Sequence, residues 1–300
     1  MYVILGASGN TGSVVAGKLL AKGQKVRVVG RDAKRLESLA RSGAEVAIAD
    51  ATDAAALTKA FAGAEAVYAL IPPNVTLDDV LGYQERTGDA VVSALEKSGV
   101  AHAVILSSIG ADKADKVGPV VGLHRLEEKI GAISGLNALY LRAGYFMENT
   151  LAQVSVIRSM GFIAGPLQPD LPLPMIATRD IGAAAAEALL KRDFQGKTAR
   201  ELLGAGDRSY NDVATVVGTA LGKPGLAYQQ MPGAILRGPL MQMGMSANFV
   251  DLLLQMTDAL NSGYMKALEP RSAANTTPTT LETFVTDTFV PAYRGQAATA

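Results

Sequence analysis

The chain opens on a short apolar run, Tyr2-Val3-Ile4-Leu5, that passes without a spacer into Gly6-Ala7-Ser8-Gly9-Asn10-Thr11-Gly12 and then into a helical pattern over residues 11–22. No other stretch restricts the fold as much. A strand that turns at once into a helix needs a residue free of steric limits at the corner, and Gly6 supplies it. Gly9 lets the backbone come close to a pyrophosphate, and Gly12 lets the helix lie tightly on the sheet. The helix start then presents unpaired N–H groups and a partial positive charge, an anion site built from backbone. Three glycines alone say little, but placed between strand and helix they predict a Rossmann-type phosphate-binding turn made by Gly6, Ser8, Gly9, Asn10, Thr11 and Gly12.

The segments that follow keep the same rhythm. Residues 2–5, 25–29, 45–48, 66–70, 102–106 and 138–142 read as strands that are apolar on both faces, as parallel strands covered by helices must be. Helical patterns lie between them at 11–22, 33–41, 53–61, 79–97 and 121–134. Gly23, Gly43 and Gly99 stand where helices end, and Thr52-Asp53 offers an N-cap. This alternation predicts an α/β fold with a doubly wound parallel sheet. The dinucleotide-binding domain is expected over residues 1–155, completed by about 178–205, where an alanine-rich helix and one more strand read. Residues 206–300, together with the proline-rich 156–177, are expected to form a smaller C-terminal α/β lobe beside a substrate cleft. That lobe should contain helices at 210–221 and 280–289, a methionine-rich stretch read mainly as core packing (Met231, Met241, Met243, Met245, Met256), and a fraying Ala/Thr-rich tail.

The second strand ends in Val28-Val29-Gly30-Arg31. An acidic residue here would bind a ribose 2′-hydroxyl, whereas a guanidinium suits a 2′-phosphate. Arg31, with Arg35 behind it, therefore favours NADP(H) over NAD(H); solvated charges at a helix start are the alternative. Asp50, with Ala51 beside it, follows the third strand, where it either reaches the adenine edge or caps the next helix. Ile71-Pro72 and Ser107 end the fourth and fifth strands, at the rim where open α/β sheets bind ligands.

Composition removes several classes of function. Twenty-eight basic residues balance 28 acidic ones, so no bulk field draws nucleic acid or anionic lipid. The chain has no cysteine and two histidines, His102 and His124, which argues against thiol chemistry and against a metal centre. No apolar stretch approaches the length of a spanning helix, and no leader pattern precedes Tyr2, so a cytoplasmic location is expected. None of the nine tyrosines has a lysine four residues later. The Tyr-x-x-x-Lys pair that ordinary short-chain dehydrogenases use to handle a substrate proton is thus missing. His124, with Glu128 one turn on, is either a polar group near the nicotinamide or a surface pair.

The glycine turn, Arg31, the His124-to-Glu128 helix, Leu141-Arg142-Ala143-Gly144-Tyr145-Phe146-Met147-Glu148-Asn149 and Ala177-Thr178-Arg179-Asp180-Ile181 occur in one order. Together they resemble the NmrA-like branch of the atypical short-chain dehydrogenases/reductases, most of all its NAD(P)H-dependent quinone oxidoreductase-like and azoreductase-like members. The resemblance covers residues 1–203 well and the terminal lobe more loosely. It implies that Arg31 and Arg35 hold the 2′-phosphate, that Ile71, Pro72 and Ser107 border the ribose and nicotinamide, and that residues 145–149 line the substrate cleft. The expected function is NADPH-dependent reduction of quinones or similar flat electrophiles, with Tyr145, Asn149 and His124 at the reacting end. The alternative is a non-catalytic NADP(H) redox sensor that acts on a protein partner, and a homodimer is also compatible. Reduction of an enone or benzylic ether is a third reading; relatives of that kind carry a lysine where this chain has His124.

Overall fold

Strands that are apolar on both faces must sit inside a sheet covered on both sides, and that is how the chain folds in the computed structural model, which describes residues 1–296. Seven parallel strands form the central sheet: β1 (Tyr2–Leu5), β2 (Val26–Gly30), β3 (Glu45–Ile48), β4 (Ala66–Ala69), β5 (His102–Ser108), β6 (Asn137–Ala143) and β10 (Lys197–Leu202). Their spatial order is β10-β6-β5-β4-β1-β2-β3. The chain leaves β1 in one direction through β2 and β3, then crosses back to β4 on the other side of β1. Neighbouring loops therefore diverge above the β1–β4 boundary and open a crevice there.

Helices α3 (Ala54–Phe61), α4 (Val80–Ser98) and α5 (Val120–Gly131) cover one face, while α1 (Asn10–Ala21), α2 (Ala33–Arg41) and α7 (Thr178–Lys191) cover the other. Each interface is a separate apolar core. Leu57, Phe61, Val91 and Leu95 pack on one side of the sheet, and Val15, Leu19, Leu36 and Leu189 on the other. Local chemistry fixes the helix ends. Asp32, Asp53 and Asp79 accept backbone N–H bonds at the starts of α2, α3 and α4, while Gly99 ends α4 in the left-handed region at φ 65°.

One expectation fails at β3. Its Val46 and Ile48 are exposed, Ile48 by 54%, because β3 is the sheet's edge. Its flank carries the Arg27–Glu45 ion pair, at 2.8 Å, and charge on an edge discourages pairing with another chain.

Beyond β6 the chain builds the lobe. β7 (Tyr145–Phe146), β9 (Leu173–Ile176) and β11 (Gly206–Arg208) make a three-stranded sheet, and β8 (Ile163–Gly165) pairs with β12 (Tyr228–Gln230). The proline-rich stretch 156–177 thus contains two short strands, β8 and β9. Helices α6 (Gln153–Met160), α8 (Tyr210–Leu221), α9 (Gly233–Gln242), α10 (Ala247–Asn261), α11 (Leu281–Phe284) and α12 (Val290–Arg294) complete the lobe, with a π-helical turn at Val285–Phe289. The core reading of the methionines holds for Met256, which packs on the lobe's apolar cluster, but fails at α9, which buries none of its residues and leaves Met241 and Met243, beyond its Gly238-Pro239 pair, exposed. The tail's residues 297–300 lie outside those described.

The strap 263–280 is held by two backbone bonds, Leu203 N–H to the Asn275 carbonyl and Thr277 N–H to the Gly204 carbonyl, and by several side chains. The buried Glu201 carboxylate on β10 accepts the N–H groups of Leu268 and Glu269. The Arg271 guanidinium donates to the carbonyls of Gly204 and Leu203, and buried Asp180 accepts from the Thr279 N–H and hydroxyl.

Candidate functional site

At the carboxyl end of β1, Gly6 takes φ +72° and its carbonyl accepts the Gly9 N–H at 2.9 Å. A Cβ at Gly12 would lie 2.4 Å from the Gly6 oxygen and 2.8 Å from its carbonyl carbon, so the third glycine is demanded by the helix lying against its own turn. A Cβ at Gly9 would stand 3.3 Å from the same oxygen. Gly9 precedes α1 with no side-chain cap, and the first turn carries no acidic residue. The N–H groups of Asn10, Thr11 and Gly12 are left to a ligand. This cradle, open at Gly9 and Asn10, has the polarity of an anion site. The Thr11 hydroxyl is buried and accepts the Tyr68 phenol at 2.8 Å, which leaves its own proton to donate.

The end of β2 lies beside this turn. Arg31 is exposed and without a hydrogen bond among the described residues. Arg35, one turn into α2, donates to the Ser8 carbonyl at 3.4 Å and ties that helix to the glycine turn. Asp50 is also exposed, and its carboxylate accepts the Thr52 hydroxyl at 2.7 Å and the Thr52 N–H at 2.9 Å. Those bonds, with the nearby Arg31 charge, hold its carboxyl below the usual range. Of the two roles foreseen for Asp50, capping belongs to Asp53, whose carboxylate takes the Ala55 and Ala56 N–H groups. Ala51 and Ile71 are buried and Pro72 is half-buried.

The opposite end of the crevice is organised by a buried pair that sequence reading missed. Glu127 on α5 is 8% exposed and binds Arg142 on β6 through two contacts of 3.0 and 2.6 Å. The Ser107 hydroxyl donates to the same carboxylate at 2.6 Å. Strand alternation aims Ser107 at α5, so its hydroxyl serves Glu127 rather than the crevice. The only sequence clue was the Glu and Arg within the quoted motifs. His124, on the same helix, points its Nδ1 to the Ala111 carbonyl at 2.8 Å and has Glu128 3.5 Å from its Nε2. It closes the loop between β5 and α5, and its second partner is the surface pairing named above as the alternative.

Tyr145 is half-buried, its phenol oxygen 2.9 Å from that of Tyr210. Burial raises both phenols, so both stay protonated at neutral pH. Asn149 is exposed beside Tyr145. Its neighbour Glu148 accepts the Thr178 N–H at 3.0 Å and hydroxyl at 2.6 Å, anchoring the start of α7. Across the crevice, the lobe grips the loop after β4: Ser246 donates from its N–H to the Val75 carbonyl at 2.9 Å, and Asn248 accepts the Val80 N–H at 3.0 Å. A separate pocket of about 370 Å³ opens between β9 and the strap, against Ile109, Leu173, Leu203 and Met265, and includes neither Tyr145 nor His124. No cluster of metal-ligating side chains and no membrane-spanning helix occurs among the described residues.

Comparison with known proteins fits this architecture. The model of the NmrA-like family matches residues 2–285. A (4-alkanoyl-5-oxo-2,5-dihydrofuran-3-yl)methyl phosphate reductase from Streptomyces griseus is 31% identical over 197 residues, 66% of each chain. An NAD(P)H azoreductase from Xenophilus azovorans is 26% identical over 258 residues, 85% of this chain and 86% of that one. The crystal structure of an NADPH-dependent quinone oxidoreductase from Escherichia coli, complexed with NADPH, superposes with a TM-score of 0.75 at 24% identity, covering 100% of this chain and 96% of that chain.

Proposed function

The chain belongs to the NmrA-like family, and from that premise we propose that it is an NADPH-dependent oxidoreductase that reduces quinones or similarly flat, electron-poor molecules. The observation that carries this reading is the uncapped α1 terminus behind a glycine turn, with the unbonded Arg31 guanidinium beside it. The turn holds the pyrophosphate, and Arg31, supported by Arg35, holds the 2′-phosphate. NADPH supplies a hydride when bound. A quinone takes that hydride and one proton to become a hydroquinone, and water can provide the proton. No protein acid is then required, and positioning does most of the work.

The residues at the reacting end suit that division of labour. Tyr145 remains a phenol near neutral pH and offers an aromatic edge with a hydroxyl held by Tyr210. Exposed Asn149 offers an amide to a carbonyl oxygen. His124 acts as a positioning residue through Ala111, and Glu127 fixes the ends of β5 and β6 through Ser107 and Arg142. The relatives' names, a reductase and an azoreductase, support electrophile reduction in this chain too. The test is NADPH oxidation with benzoquinone or menadione, measured beside Gly9→Trp. Turnover well above the variant supports the proposal; equal rates, with tight NADPH binding retained by the wild type, favour the redox-sensor reading instead.

A further inference from the structure

Three tyrosines meet where the lobe joins β7, and their hydrogen bonds can run in only one direction. Tyr210 opens α8 directly after Ser209, whose hydroxyl accepts the Asp212 N–H at 3.1 Å and whose own N–H donates to the Asp212 carboxylate at 2.8 Å. That capping box fixes the backbone beneath Tyr210. Its ring meets Tyr145 edge-on, with centroids 6.2 Å apart, and lies tilted against Tyr228 at 4.9 Å. Two aromatic neighbours thus hold the ring in place, and the Tyr228 hydroxyl is spent on the Leu167 carbonyl at 2.8 Å.

Tyr210 is 4% exposed, and its hydroxyl has one partner among the described residues, the Tyr145 oxygen at 2.9 Å. If Tyr145 were the donor, the Tyr210 proton would be buried without an acceptor, which costs more than a neutral hydrogen bond returns. Tyr210 therefore donates and Tyr145 accepts. Asn149 acts in the same sense: its side-chain bond to the Tyr145 phenol favours the anion, as a donated bond does. Two donors face one oxygen, and the Tyr145 proton is the one left over. Tyr145 is half-buried and Asn149 exposed, so this proton stands at the open side of the cluster and not in the lobe's core.

Resting on the reductase reading above, we propose that Tyr210 is a positioning residue that makes Tyr145 a fixed hydrogen-bond donor to the substrate, so that the site selects electrophiles carrying an acceptor oxygen or nitrogen. The balance of the reaction is unchanged: hydride adds to the electrophile, charge gathers on its acceptor atom, and water supplies the proton. Tyr145 donates to that atom and keeps its own proton. Its oxygen is already held by Tyr210, so no reorientation is needed as the charge builds. A phenol without that partner would rotate freely and offer a lone pair as readily as a proton.

The test is a double-mutant cycle on menadione turnover, with wild type, Tyr145→Phe, Tyr210→Phe and the double variant. Tyr210→Phe should lower kcat about tenfold, the upper worth of one neutral hydrogen bond, and leave NADPH affinity unchanged. In the Tyr145→Phe background the same substitution should have no effect, because the hydroxyl it orients is gone. A second measurement does not depend on Tyr210→Phe folding. In the presence of NADP⁺, Tyr145→Phe should weaken the binding of menadione and spare 2-methylnaphthalene, which is menadione without its oxygens. A folded Tyr210→Phe that turns over at the wild-type rate, or that loses the same factor in both backgrounds, overturns the proposal and leaves the reductase reading standing. Equal effects of Tyr145→Phe on the two naphthalene ligands overturn it as well. A wild type no faster than Gly9→Trp overturns both.

Discussion

Gly9 and Gly12 belong to one turn, yet the structure assigns them opposite sensitivities. In Gly12→Ala the new methyl would sit 2.4 Å from the Gly6 oxygen, 2.8 Å from its carbonyl carbon and 3.0 Å from the Ala7 Cα. All three are backbone atoms, so no side chain can swing aside; either the turn or α1 must move. Overpacking of this kind costs about 1–3 kcal/mol, which lowers the melting temperature by roughly 2–5 °C in a chain of this size. In Gly9→Ala the nearest contact is a single oxygen at 3.3 Å, and the residue is exposed at φ −93°, so the cost should stay within about 0.5 kcal/mol. That methyl instead occupies the open side of the cradle, where the pyrophosphate approaches. The assay is thermal unfolding by circular dichroism, paired with NADPH titration. Gly12→Ala should lose both stability and binding, and Gly9→Ala should lose binding at least tenfold while melting like wild type. The reverse pattern, or a Gly9→Ala variant that binds normally, would refute the geometry assigned to the turn.

Three further outcomes follow from other contacts. Arg31→Ala should weaken NADPH tenfold or more and leave NADH nearly unchanged in parallel fluorescence titrations; equal losses would remove the 2′-phosphate assignment. Glu127→Ala leaves the largely buried Arg142 and the Ser107 hydroxyl without their shared partner, which should cost about 3–5 kcal/mol in urea unfolding, and a loss under 1 kcal/mol would contradict the buried-pair reading. Burial lifts the Glu148 carboxyl above its ordinary value of 4.5, against the opposing pull of the Thr178 bonds. The folded state therefore holds that proton more tightly than the unfolded state, and this group's contribution declines as pH rises from 4.5 through the higher folded value. Glu148→Gln cannot titrate, so its stability should fall less steeply than wild type across that window; identical slopes would count against the burial of this carboxyl.

How much of this was legible from sequence depended on whether a residue's role is set by its neighbours in the chain. The β1–α1 turn was readable because all three glycines answer to contacts within seven residues, and β6 needed only its apolar run. The exposure of β3 was not readable, since its composition matches the buried strands and only the strand order places it at the edge. Ser107 looked like a crevice residue by position, but its partner Glu127 arrives from α5, 20 residues later. The strap at 263–280 has no periodicity because Glu201, Arg271 and Asp180 hold it through bonds that span up to 99 residues.

The central claim is that the chain holds NADPH in one orientation and passes its hydride directly to an electrophile. NADPH deuterated at C4 in the R position, and separately in the S position, tests this when the NADP⁺ formed with menadione is analysed by mass spectrometry. The account predicts that one isomer yields unlabelled NADP⁺ and the other retains its deuterium fully. Partial loss of label from both isomers, or no oxidation above the Gly9→Trp level, would contradict it.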